Sequence, residues 1–143
     1  MKKTLMLFCT LMLSTMVAFA QADKIVGTYK MNRNGVNSKV KIYKKNGGYQ
    51  AQVIWVDNLK MPDGSTRLDE KNPDPAKRST PANQIIIVEK VTYSDGEWKD
   101  GRIYDPTKGK TYKAVIDFKD DKTLRVKGYL GPFHESMYWT KIE

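Results

Sequence analysis

A single histidine occurs among the 143 residues, His134, with Ser136 two positions further on. On a strand these two share a face, as a base and a hydroxyl nucleophile would have to. No nucleophile elbow surrounds Ser136, so the spacing lacks its supporting motif. Carboxylates offer a second chemistry. Asp69 and Asp74 suit an acid–base couple, given the right separation. Asp57, Asp63 and Asp69 suit a cation, but the spaced loop that gathers oxygen ligands around calcium is missing. Arg78 offers a planar fork for a carboxylate or phosphate. The largest group is aromatic: Tyr49, Trp55, Tyr112, Phe118 and Trp139, each on an alternating apolar face. Rings with a few convergent polar groups make a small-molecule pocket. The same rings also fill a small barrel as core, and both readings stand. Binding is favoured over catalysis, and neither a catalytic set, a metal nor a cofactor is expected.

The backbone that must position these residues reads as β throughout. Strands are expected over 25–31, 39–45, 49–56, 85–93, 97–104, 111–119, 123–130 and 137–142, from period-two alternation of apolar and polar residues. In the sixth, Tyr112, Ala114, Ile116 and Phe118 line one face and Lys113 and Asp117 the other. Asn46-Gly47-Gly48 and Asp95-Gly96 are hairpin turns, and Asp105-Pro106 with Gly109 makes another. The run Ile85 to Val88 is continuously apolar, which suggests burial on both faces. Residues 57–83 have no period and form one long loop, in which Asp74 caps a short helical turn begun by Pro75. A loop of this length in a small domain suits a lid or rim. Eight sequential strands with short turns favour an all-β, antiparallel, up-and-down β-barrel, since closure removes exposed edges. A two-sheet sandwich is the alternative.

The start of the chain reads as an export signal. Lys2 and Lys3 precede an apolar run from Leu5 to Phe19, and Ala18-Phe19-Ala20 is a small-x-small cleavage site. The expectation is a signal peptide over 1–20, one domain over 21–143, no transmembrane anchor after cleavage, and a periplasmic or extracellular address. Cys9 leaves with the leader, so the mature domain has no thiol for disulfide, catalysis or metal. Losing Lys2 and Lys3 takes the formal charge from +9 to +7. That charge attracts anionic partners. The lysines are spread through most segments, however, so keeping sheet faces soluble is the preferred reading, and nucleic acid is not an expected partner.

Trp55, Asn72-Pro73-Asp74-Pro75 with Arg78, Gly101-Arg102-Ile103-Tyr104-Asp105-Pro106, Gly109-Lys110-Thr111-Tyr112, Gly128-Tyr129-Leu130-Gly131 and Trp139 occur in this order. Together they resemble the exported bacterial family known as domain of unknown function 2147. The likeness spans essentially the whole mature chain. It implies a fold similar to lipocalins and other calycins, and it implies no activity. The family's polar motif positions correspond here to Asp69, Asn72, Asp74, Arg78 and Asp105. They suit a rim site in which Arg78 grips an anion. The structural reading, preferred, has Asp74 capping, Asp105 holding its hairpin and Arg78 pairing with one of them. Two positions depart from the pattern. Tyr29 stands where a first-strand tryptophan is usual, and Lys141 stands where an arginine usually closes the barrel end over it. Tyrosine and lysine keep a cation–π pair but lose the planar stacking of arginine. These readings converge on an exported barrel holding a small apolar or amphipathic molecule, its anionic head met by Arg78 or a lysine. The alternative is a filled barrel acting through its outer surface and long loop as an interaction module.

Overall fold

The structure, a computed structural model, describes residues 16–143. The basic start of the expected leader, most of its apolar run and Cys9 lie outside the described residues. Eight strands follow: β1 (Gly27–Arg33), β2 (Val36–Lys45), β3 (Gly48–Val56), β4 (Ile86–Ser94), β5 (Glu97–Asp105), β6 (Lys110–Asp120), β7 (Thr123–Leu130) and β8 (Phe133–Lys141). Each pairs antiparallel with the next, and β8 returns to β1 through Tyr29↔Lys141 and Lys30↔Thr140, so the barrel is closed.

Strand alternation sends one face of every strand into a common core. Tyr29, Val40, Ile42, Ala51, Trp98, Ala114, Ile116, Leu124, Val126 and Trp139 are all at most 2% exposed. The half of the barrel away from the long loop is therefore filled, as an eight-stranded ring permits. Of the run Ile85 to Val88, Ile85, Ile87 and Val88 are buried and Ile86 is half-buried, with Val88 paired to Ile103 on the neighbouring strand and Ile86 and Ile87 beneath the long loop. The long loop carries the expected turn Pro75–Lys77, capped by the Asp74 carboxylate, and a second turn, Ala82–Gln84.

Trp55 is not where alternation puts it. The register runs Val40↔Val53 and then Lys39↔Trp55, so β3 holds one residue more than β2 at this point. This bulge reverses the faces: Val53 points in, Val56 packs on the core, and Trp55 faces out, 44% exposed. A second difference lies in β8, which begins at Phe133 rather than Met137. Gly131, in the left-handed region, makes Gly131-Pro132 a tight turn that joins β7 directly to β8. The polar residues between Phe133 and Met137 conceal the strand in sequence.

The filled end is sealed by the segment before β1. Residues 16–23 are helical and Ile25 is fully buried. The Tyr29 hydroxyl donates to the Ile25 carbonyl at 2.8 Å, and the Trp98 indole N–H to the Ala22 carbonyl at 3.0 Å. Tyr49 donates to the Asp23 carboxylate at 2.6 Å, which also meets Lys44 at 2.9 Å. The lysine replacing the expected arginine sits as its chemistry suggests, with Lys141 Nζ 6.0 Å from the Tyr29 ring centre and bonded to the Lys24 carbonyl.

Burial raises the pKa of the Tyr29, Tyr49 and Tyr104 hydroxyls, helped in the last two by the carboxylates of Asp23 and Asp69. The fold favours their neutral form, while in the unfolded chain each ionises near pH ~10. Stability is therefore intact below that pH and falls as pH rises above it. We expect tyrosinate absorbance from these three to appear only together with loss of strand signal. Ionisation of all eight tyrosines in a folded barrel would contradict this.

Candidate functional site

At the end opposite the seal the barrel opens. Continuing the inward face of β1 from Tyr29 and Met31 brings Arg33 to the mouth, just before the Asn34-Gly35 turn. β1 and β5 stand opposite one another in the ring, and there Asp105 ends β5 facing inward. Arg33 Nη2 meets Asp105 Oδ2 at 2.8 Å, so an ion pair bridges the mouth. Arg33 Nη1 contacts Met137 Sδ at 3.6 Å, and Glu135 stands 3.9 Å from Nη2. Asp105 also holds its own turn, because its Oδ1 accepts from the Thr107 amide at 3.0 Å and hydroxyl at 2.6 Å.

Around this bridge is a cavity of about 300 Å³. Ile103, Tyr112 and Met137 form its apolar walls, and Leu130 and Phe133 form a lip. The lip pair sits in register across the β7–β8 turn and is 67% and 78% exposed. The Arg33 side chain is 23% exposed, and its contacts to Asp105 and Met137 use only some of the five N–H donors of the guanidinium.

The polar motif residues do something else. They fasten the long loop to the barrel wall. Tyr104 donates to Asp69 Oδ1 at 2.7 Å, and Asn72 Nδ2 to Asp69 Oδ2 at 2.8 Å. Asn72 Oδ1 in turn accepts from the Asp74 amide. Among the described residues Arg78 meets no carboxylate. Its Nε donates to the Asn72 carbonyl at 2.7 Å, which pins the turn from outside, so the expected pairing with Asp74 or Asp105 is replaced by a backbone bond. Arg33, not Arg78, is the mouth cation. It escaped the sequence reading because the first strand was ended at Met31. The signal was there: Tyr29, Met31 and Arg33 alternate up to an Asn-Gly turn.

Between the loop and the outer faces of β4 and β5 lies a second concavity, a groove of about 490 Å³ walled by Ile86, Arg102 and Tyr104 and rimmed by Asn72 and Lys77. Its upper fastening is tight. Gly109 has φ +64°, and a Cβ there would stand 2.1 Å from the Lys71 carbonyl oxygen. Gly109→Ala is expected to free the loop from the β5–β6 turn at a cost of about 2 kcal/mol. Faster amide exchange over 66–84 with unchanged exchange in β6 and β7 would show it. Unchanged exchange in the loop would contradict it.

The other expected site residues are dispersed. Of the aromatic set only Tyr112 lines the mouth. Trp139 lies in the filled core, Tyr49 clamps the sealed end, and Phe118 packs edge-on to Trp98 at 5.7 Å with Lys24 over its ring. Trp55 is outside the barrel. His134 and Ser136 alternate with the inward positions of β8; His134 stacks on Tyr129 at 4.9 Å and borders the mouth cavity, whereas Ser136 does not line it. Asp57, Asp63 and Asp69 serve three separate local bonds, to Asn37, Ser65 and Tyr104. Among the described residues no three acidic, cysteine or histidine side chains gather where a metal would need them.

A closed eight-stranded up-and-down barrel, sealed at one end and open at the other, is a lipocalin-like architecture. A solved structure supports this. The chain is similar to HP1028 from Helicobacter pylori, described as belonging to the lipocalin family, with a TM-score of 0.68 over 83% of each chain at 21% identity. Residues 27–141 match the model of domain of unknown function 2147, an uncharacterised protein family conserved in bacteria, and the chain belongs to that family. No match was found among curated proteins.

Proposed function

We propose that this protein is an exported, cell-envelope barrel that holds a small apolar or amphipathic molecule at its mouth without covalent chemistry. The observation that carries this reading is the Arg33–Asp105 bridge set across a cavity with apolar walls and an apolar lip. Sites for small molecules combine an apolar lining with a few fixed polar groups, and volumes of roughly 300 Å³ stand at their small end. The apolar part of the ligand rests on Ile103, Tyr112 and Met137 beneath the lip. Acceptor oxygens of its head, a carboxylate among them, join the free N–H groups of Arg33 while Asp105 holds the fork in place. The sealed, filled half acts as a floor. The apolar leader and its cleavage site support the exported address.

A fluorescent anionic probe with an apolar body, anilinonaphthalene sulfonate, tests the site directly. Its emission is expected to rise on binding, and Arg33→Met is expected to weaken binding at least tenfold with the fold intact. Equal binding by wild type and Arg33→Met would reject the mouth. A second reading, an interaction module acting through its exterior, draws on the groove under the long loop, which is the larger concavity. Probe binding lost in Gly109→Ala but kept in Arg33→Met would favour it.

A further inference from the structure

We infer that the outer face of β1–β3 docks on an anionic lipid surface. The register aligns Thr140, Lys30, Lys39 and Trp55 in one row across four strands, with Lys41 in the next row beside Gln52. Lys30 and Lys39 are directly opposite, an arrangement that repels. Among the described residues Lys30, Lys39 and Lys41 form no ion pair. Of the carboxylates beside these strands, Asp57 is taken up by the Asn37 amide and side chain, and Glu143, held by its backbone to Thr28 across from Lys41, forms no ion pair with that lysine. A sheet face that keeps like charges in register and unpaired is stabilised by negative charge from outside the molecule.

The bulge in β3 says what kind of negative charge. Without it Trp55 would point into the barrel. With it Ile54 and Trp55 both stand exposed beside the lysines, with Lys39 Nζ 5.6 Å from the indole centre. A soluble polyanion has no use for an exposed isoleucine. A bilayer does: indoles partition to its interface, and lysines beside them meet lipid phosphates. The face is on the barrel wall, separate from the mouth, so this inference does not depend on the ligand reading.

The test is sedimentation of the protein with vesicles of phosphatidylcholine and phosphatidylglycerol in equal parts, and with phosphatidylcholine alone. Binding is expected only with the anionic lipid and is expected to weaken as salt is added. Each of Lys30→Gln, Lys39→Gln and Lys41→Gln is expected to weaken it about fivefold. All three together should abolish it, with thermal unfolding showing that the fold survives. Because Trp98 and Trp139 are buried, quenching by brominated lipid reports Trp55. Absence of binding to the anionic vesicles, or binding that persists in the triple variant, would overturn the inference. So would tight binding of soluble polyphosphate with no lipid quenching of Trp55, which would make the face a site for soluble polyanions.

Discussion

Trp139→Ala is expected to destabilise the barrel by about 3–5 kcal/mol, whereas Trp55→Ala should change stability by less than about 0.5 kcal/mol. Both tryptophans lie on strands whose alternation puts them inside. Trp139 is fully buried between Leu124 and the neighbouring core, and its indole N–H has no hydrogen-bond partner among the described residues. Its contribution is volume and dispersion, so truncation leaves a cavity that a closed ring of paired strands cannot collapse. The loss is a large share of the roughly 5–15 kcal/mol that holds a domain folded. Trp55 has been turned out by the bulge, and its removal exposes little new apolar surface. Denaturant titrations of both variants check this. Comparable losses would mean that the bulge is misplaced and Trp55 is core.

Asp105→Ala carries the second large effect, about 3 kcal/mol. It removes the acceptor of two hydrogen bonds within the β5–β6 turn and leaves the Arg33 guanidinium, mostly covered, without its partner. Replacing both members, Arg33→Met with Asp105→Leu, should recover the part due to the stranded charge, though not the turn bonds. The double variant is thus expected to be more stable than Asp105→Ala and still unable to hold a ligand head. Equal stability of the two would show that the turn, and not the bridge, is what Asp105 supports.

The barrel itself was legible in the sequence because most of its strands carry unbroken period-two patterns. β6 and β7 appeared almost to the residue, since Tyr112 to Phe118 and Leu124 to Gly128 alternate cleanly between turns that contain aspartate or glycine. What escaped depends on events with no local signature. One extra residue in β3 moved Trp55 from core to surface, and a bulge shows only against its partner strand. The start of β8 is hidden because its inward position after Phe133 is a carboxylate, Glu135, flanked by His134 and Ser136, so the apolar alternation shows only from Met137. The motif residues pointed to something real, the fastening of the long loop. Whether Arg78 faced a carboxylate or a carbonyl was decided by a turn geometry that spacing does not encode. The mouth pair Arg33–Asp105 joins residues 72 positions apart on opposite strands, a contact fixed only by closure of the ring.

The most direct measurement of the ligand reading is native mass spectrometry of the protein purified gently from the cells that make it. The account predicts a reproducible small adduct on the wild-type chain, retained in Trp55→Ala and absent from Arg33→Met, with solvent extraction yielding a molecule that has an apolar body and an oxygen-bearing head. A bare protein mass after incubation with envelope extract, or an adduct that survives Arg33→Met, would contradict it.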